Sequence, residues 1–455
     1  MSRPGDSKDI YKELDGDAAS GGDPGGDCPS PHRPLTTVLI AMPPTDAGAT
    51  AALPSPTEYE PSSDYRPGGY HPVEVGDVYN KGQYKVTAKL GWGVYSTVWL
   101  CDEYRPGRGS SKLGSLQRTV ALKIQKSAVE YRRAAARELA VLSACQRMAE
   151  SSGSAEATGA SRIVQLIGSF HLCGPHGDHT AMVFESLGCS LLSVLQRFGA
   201  LTPKHTRRVT HQVLDAAAFL HDTARIVHTD IKPENVLVHP KDAAEAATWA
   251  AFAKTADAVP SIPIFDVKLV DLGSAFFVDK QVANDIQTRE YRCPEAILGV
   301  WPFTPAADVW SIGCLVFELL TGELLFDPPS PLPEEAGDDD HVYDQSALRA
   351  RSGSKDISHV AQIVELLGPL PDRVVRAGRR SDQLLTPSGG PRMPGGPTDG
   401  QHSLLERVLL ENFVLPSGAD PAGACALMRR LLALDPSERI SAADALDDPW
   451  LALEY

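Results

Sequence analysis

The stretch His228-Thr229-Asp230-Ile231-Lys232-Pro233-Glu234-Asn235 decides how this chain is read. Its form is His-x-Asp-x-Lys-Pro-x-Asn, and each fixed position has a chemical use. Asp230 can orient an incoming hydroxyl and accept its proton. Lys232 can neutralise charge on a transferring phosphoryl group, and Asn235 can ligate a metal through a neutral carbonyl oxygen. His228 fits a structural, hydrogen-bonded role better than a catalytic one. Upstream, Val209, Val213, Leu214, Ala217 and Leu220 form one apolar face. They predict a helix over Thr206 to His221 that delivers the chain to Ile226-Val227 and this loop.

Downstream, Val236-Leu237-Val238 and Val267-Lys268-Leu269-Val270 read as strands around an alanine-rich segment, Pro240 to Ala258. The second strand leads into Asp271-Leu272-Gly273. A carboxylate at a strand end before glycine is well placed to bind Mg²⁺ bridging two phosphates, so Asp271 with Asn235 makes a hard-oxygen metal site. Far upstream, Tyr84 to Leu90 and Thr97 to Cys101 have strand composition. Between them Gly91-Trp92-Gly93-Val94-Tyr95-Ser96 predicts a hairpin whose glycines let the backbone approach phosphates closely. Thr119-Val120-Ala121-Leu122-Lys123-Ile124 is a β run whose lysine can reach α- and β-phosphates. Val129 to Cys145 predicts a helix carrying Glu138. Ile163 to Phe170 and Thr180 to Glu185 predict two more strands. Further helices are predicted at His359 to Leu367, where Val360, Ile363, Val364 and Leu367 repeat with helical spacing, and at Leu404 to Asn412, Cys425 to Leu434 and Ser441 to Leu446.

The chain has 455 residues, 42% hydrophobic and 22% charged, the composition of a soluble globular protein. No apolar run is long enough to span a bilayer, and the first residues lack a signal peptide's apolar core. The eight cysteines are scattered without a Cys-x-x-Cys pair and read as reduced thiols of a cytosolic or nuclear protein. A net charge of -15 argues against direct nucleic-acid binding and suits basic partners, or serves solubility alone. Residues 1 to 65 are rich in Gly, Pro, Ser, Asp and Ala and read as a disordered arm, with order beginning near Gly69. The stretches 104 to 118, Ala149 to Ser161, Glu334 to Asp340 and Arg379 to His402 read as loops.

From about Gly69 to Trp450 these motifs resemble a eukaryotic protein kinase, and within kinases the SR-protein kinases, which phosphorylate serines in arginine–serine repeats of splicing factors. The specific words are Gly69-Tyr70-His71-Pro72-Val73, Leu90-Gly91-Trp92-Gly93, Ser96-Thr97-Val98-Trp99-Leu100, Met182-Val183-Phe184-Glu185, the catalytic loop above, and Asp285-Ile286-Gln287-Thr288-Arg289. Thr229 is the most diagnostic: most kinases carry an arginine there that clamps a phosphate on the activation segment. The resemblance implies an α+β, bilobal kinase fold over residues 69–452. The β-rich N-lobe is expected near 80–184, the helical C-lobe near 190–452, and a short insert near 240–266. It implies ATP and Mg²⁺ as cofactors, bound in the cleft. Leu90, Gly91, Gly93, Val98, Ala121, Lys123, Glu138, Phe184, Glu185 and Leu187 are the implied ATP-binding residues. Among them Glu138 pairs with Lys123, and Phe184 stands behind an adenine that bonds the hinge backbone at Glu185 and Leu187. Glu295 is expected to pair with Arg439, and Asp308 to hold the catalytic-loop backbone. Arg/Ser-rich basic proteins are the implied partners, met in an acidic docking groove to which Asp356 and Glu365 correspond by position, with the Glu334 to Asp340 run adding to the field. A monomer in cytoplasm and nucleus is expected. Three departures stand out: the short spacer; the activation segment, with Ser274 where the family has asparagine and an end, Cys293-Pro294-Glu295, that resembles kinases in general; and the docking groove, of whose acidic residues Asp356 and Glu365 match two. A dual-specificity or proline-directed kinase, and an acidic scaffold without turnover, are the alternatives.

Overall fold

A computed structural model of the chain describes residues 60–105, 114–151, 159–242, 245–246, 249, 262–281, 285–328, 345–392, 405–412 and 420–452, with backbone alone at 345–354 and 411–412. Six antiparallel strands make the first lobe: β1 (Val78–Tyr79), β2 (Tyr84–Gly93), β3 (Ser96–Tyr104), β4 (Leu116–Gln125), β5 (Leu166–Gly174) and β6 (Gly177–Glu185). Their order in the sheet is β1-β2-β3-β4-β6-β5. Alternation decides which face each residue takes. Val120, Leu122 and Ile124 of β4 join Tyr84, Val86, Trp99, Cys101, Ala181 and Val183 in a small core. The period of two therefore turns Ala121 and Lys123 to the other face. Val98 is paired with Lys123 and Phe184 with Ala121, so these four share that face.

One helix, α1 (Val129–Ser151), runs beside the sheet. It buries Ala135, Glu138, Val141, Leu142 and Cys145, a helical stripe that joins the larger core. The helix outlasts the predicted end at Cys145 by six residues, because Gln146 to Ser151 include good helix formers and no breaker.

The second lobe is helical. Its elements are α2 (Leu191–Phe198), α3 (Pro203–Ala218), α4 (Pro294–Leu298), α5 (Ala306–Thr321), α6 (Gln345–Leu367), α7 (Asp372–Ala377), α8 (Ser381–Leu384), α9 (Leu405–Asn412), α10 (Pro421–Leu431) and α11 (Ala442–Ala445). The starts are written in the sequence: Ser190 accepts the Ser193 N–H, and Thr202 accepts that of His205 just ahead of Pro203. α3 continues into a π-wound turn, Phe219–Thr223, which completes the helical path predicted to His221. α5 is buried from Ala307 to Leu320 and forms the axis of the lobe. Two small two-stranded antiparallel sheets lie at the cleft: β7 (Ile226–Val227) with β10 (Phe276–Phe277), and β8 (Val236–His239) with β9 (Asp266–Leu269).

Order begins earlier than expected. Glu60 is buried and bonded by Lys89 and Tyr65, and Ser62–Asp64 form a 3-10 turn. Sequence composition missed this because Lys89 and Lys126, which pair with Glu60 and Asp64, lie more than twenty residues away. The expected disorder of residues 1–59 and the Glu334 to Asp340 run fall outside the described residues. In the short insert, Trp249 is buried edge-on against Phe265.

Candidate active site

Lys123 reaches out from β4 to two carboxylates. Its Nζ lies 2.7 Å from Glu138 Oε1 on α1 and 2.9 Å from Asp271 Oδ1. Gln125, on the same strand face, donates to the other Glu138 oxygen at 3.2 Å. Burial opposes the charge on Lys123, but Asp271 and Glu138 more than offset it and raise its pKa. The same lysine holds the Asp271 carboxyl down to about 2. Burial pushes the Glu138 carboxyl up. Asp271 takes a left-handed backbone, φ 60° and ψ 71°, sparsely populated for a non-glycine residue.

β8 and β9 bring the catalytic loop beside that acid. The Val270 N–H donates to the Asn235 carbonyl at 2.9 Å. Asn235 Nδ2 donates to the Asp230 carbonyl at 2.8 Å and to its Oδ2 at 3.1 Å. Lys232 Nζ lies 2.9 Å from Asp230 Oδ2 and donates to Thr288 Oγ1 at 2.7 Å. Thr288 in turn donates its hydroxyl to Asp230 Oδ1 at 2.6 Å. Burial works against charge on Lys232, but Asp230 and Glu234 outweigh it and raise the pKa.

Asp308, at the start of α5, holds this loop from below. Its carboxylate accepts the backbone N–H of His228 and of Thr229, each at 2.8 Å, and bonds His221 at 2.8 Å. His228 bonds the Val270 carbonyl at 2.9 Å, a structural contact. Thr229, with φ 69°, donates its hydroxyl to the Ser274 carbonyl at 3.1 Å. That bond ties the loop to the start of the activation segment without any charge. Glu295 and Arg439 form the expected pair, bidentate at 2.6 and 3.0 Å, with Arg439 also over the Trp310 ring.

On the upper side of the cleft, Leu90 and Phe184 are buried, and Val98, Ala121 and Leu187 are half-buried. The Glu185 side chain turns away to Lys268 at 2.6 Å. Gly91 and Gly93 pair with Val98 and Ser96 across the hairpin.

Asp356 does not lie open to a partner as its expected docking role requires. Asp356 is 1% exposed and already bonded by Arg289 and Arg380. Burial opposes its charge, but the two arginines outweigh that and hold the carboxyl below its usual range. Its helical position gave no sign of this, because both arginines come from distant parts of the chain. Glu365, by contrast, is exposed on α6.

Four residues of this neighbourhood escaped the sequence reading. Thr288 bridges Asp230 and Lys232. Glu234, Glu290 and Glu318 form an acidic cluster next to them. Burial, first of all, pushes the Glu318 carboxyl up to about 7, and Glu234 and Glu290 add repulsion while a hydrogen bond from Tyr291 at 2.5 Å opposes the rise. Burial likewise raises Glu234, whose Oε2 is buried without a partner. Glu318 sits in a helix that reads as core, so only tertiary contact reveals it.

This fold and cleft are those of a protein kinase, and the family described as "Protein kinase domain" matches residues 84–451. Within that class the chain is 36% identical over 438 residues to "Serine/threonine-protein kinase SRPK" of Physarum polycephalum, covering 87% of this chain and 92% of that one. It is 28% identical to "Protein kinase dsk1" of Schizosaccharomyces pombe, covering 87% and 85%, and 28% identical to human "SRSF protein kinase 3", covering 87% and 90%. The chain belongs to the SR-protein kinase family and is a protein serine/threonine kinase.

Proposed function

We propose that this kinase transfers the γ-phosphoryl group of ATP to serines in Arg/Ser-rich basic proteins such as splicing factors. The observation that carries the substrate class is the acidic cluster of Glu234, Glu290 and Glu318 beside Asp230. Glu234 and Glu318, whose carboxyls burial and repulsion push up, are relieved by an incoming cation, and a guanidinium can bond two carboxylate oxygens at once. Glu365, exposed on α6, offers a further carboxylate for a basic substrate.

The residues present fit a magnesium nucleotide. Asp271 is held ionised, and Asn235 commits its amide nitrogen to Asp230, so its carbonyl oxygen is the atom suited to a hard cation. Bound Mg²⁺ would neutralise charge between the β- and γ-phosphates. Lys123, steadied by Glu138, would bond the α- and β-phosphates. Asp230 would orient the serine hydroxyl and take its proton. Lys232, already beside Asp230, would stabilise charge on the γ-phosphoryl oxygens. Thr288 occupies the Asp230 carboxylate here and would yield it to the substrate hydroxyl.

The test is a radiolabelled-ATP assay with Mg²⁺ on three peptides: an arginine–serine repeat, a lysine–serine repeat of equal charge, and a serine–proline peptide. Asp230→Ala serves as the blank. Preference for arginine–serine is expected, and Glu234→Gln should erase most of it. Equal rates on the charge-matched peptides would reduce the selection to net charge. A serine–proline preference, or no signal above the blank, would refute the reading.

A further inference from the structure

The strap formed by residues 60–73 lies ahead of the matched kinase domain, and its Gly69-Tyr70-His71-Pro72-Val73 word has no role in the chemistry above. Besides the Glu60–Lys89 pair on β2, it reaches the Gly91–Ser96 turn at the Gly93 carbonyl. Tyr70, 1% exposed, donates its hydroxyl to the Gly93 carbonyl at 2.7 Å. The tyrosine is itself firmly placed. Lys126 stands 4.2 Å from its ring centroid and pairs with Asp64 at 2.7 Å. The carbonyls of Gly68 and Gly69 accept the N–H groups of Ala128 and Ser127 at 2.9 and 3.1 Å, just ahead of α1. A Cβ on Gly69 would lie 1.8 Å from the Asp64 carbonyl oxygen, so only glycine lets the strap fold this tightly. His176, in the turn between β5 and β6, bonds the Tyr70 carbonyl at 2.7 Å.

The other end of the hairpin is tied to the same place. The Lys126 N–H donates to the Tyr95 carbonyl at 2.8 Å, and the Tyr95 ring meets Tyr131 of α1 edge-on. Strap, hairpin and helix start therefore converge on Lys126, three residues after Lys123. A glycine turn is intrinsically loose and loses much entropy when ordered. A turn held before the nucleotide arrives leaves less of that loss to binding.

We propose that Tyr70 is a positioning residue for ATP, fixing the Gly91–Ser96 turn through Gly93 and locking it in register with the helix that carries Glu138. This rests on the reading of that turn as the cover over the nucleotide phosphates. The experiment compares full-length wild type, Tyr70→Phe and Gly91→Val, measuring kcat, KM for ATP, KM for peptide, and melting temperature. Tyr70→Phe keeps the ring and its contact with Lys126 and removes one hydroxyl. Its KM for ATP should rise about three- to tenfold, the worth of one hydrogen bond. KM for peptide should stay within about twofold, and the melting temperature should move by no more than about 2 °C. A KM for ATP unchanged in Tyr70→Phe overturns the proposal. If Gly91→Val then still raises it, the phosphate cover stands and Tyr70 alone is wrong; if neither does, the reading of the turn falls as well. A parallel rise of both KM values together with a fall in melting temperature would also overturn it, since that marks a general packing role.

Discussion

Glu318 shows how one side chain couples stability to function. Its carboxyl sits behind half-buried Glu234 and Glu290, bonded by Tyr291, with Cys314 close by. Its pKa rises from an ordinary 4.5 to about 7 on folding. Between those values the folded state binds more protons than the unfolded one, so this group makes stability fall as pH rises from about 4.5 to about 7. Glu318→Gln keeps an acceptor for Tyr291 and has nothing to titrate. The free-energy difference between variant and wild type, from denaturant unfolding, should move in the variant's favour by about 2–3 kcal/mol between pH 5 and pH 8. A difference that is flat with pH would show that the carboxyl titrates normally. His359 works with the opposite sign. It is fully buried with neither ring nitrogen partnered, and burial, reinforced by Arg292 and Arg289, lowers its pKa to about 3. The unfolded chain takes up its proton below about 6.5, so stability is lost on acidification from there toward 3. His359→Leu should remove part of that acid sensitivity in the same unfolding series.

At the scale of elements, long-range charge pairs join pieces that no local pattern connects. Arg439 follows α10 and Glu295 lies in α4, 144 residues apart, yet their side chains are almost completely buried against each other. Breaking such a pair on one side leaves an uncompensated charge in the core. Glu295→Gln should therefore destabilise the protein by about 3–5 kcal/mol, measured by the urea midpoint; a loss below about 1 kcal/mol would mean that water or another group replaces the carboxylate. Asp356 plays the same part between the activation segment and α6, holding Arg289 and Arg380. A substrate arginine would have to displace one of them, which is why Glu365, exposed two turns on, is the better candidate for docking. The asymmetry follows from burial: of two carboxylates on one helix, Asp356 is closed off by arginines and Glu365 stays open to solvent.

Across the whole molecule, the activation segment is held by hydrogen bonds and ion pairs among the protein's own side chains and backbone. Thr229 bonds Ser274, Gln287 donates to the Ala307 carbonyl at 2.7 Å and to Ser311 at 2.9 Å, and Arg292 binds Asp285 and the Gln287 carbonyl. Gln287 accepts its place with φ 69°, a strained backbone for a side-chain-bearing residue. None of these bonds requires a phosphate. Phosphatase-treated enzyme should keep most of its activity on an arginine–serine peptide, and loss of most of it would show that a modified residue completes the segment.

Much of this was legible in the chain order. The catalytic loop, Asp271 before its glycine, the hairpin, Lys123 in an alternating strand and Glu138 on a helical stripe all follow local rules, because strand period, helix period and glycine freedom act over a few residues. The caps at Ser190 and Thr202 obey local rules too, yet the sequence reading assigns no helix at Leu191–Phe198 and begins the next at Thr206 instead of Pro203. What only the tertiary structure decided are the meetings between distant residues: Asp356 closed off by two arginines, Thr288 laid across Asp230, Glu318 brought behind Glu234, and Tyr70 set under Gly93. Their energies come from burial and from partners tens of residues away. A linear pattern carries neither quantity, so those roles exist only once the chain has folded.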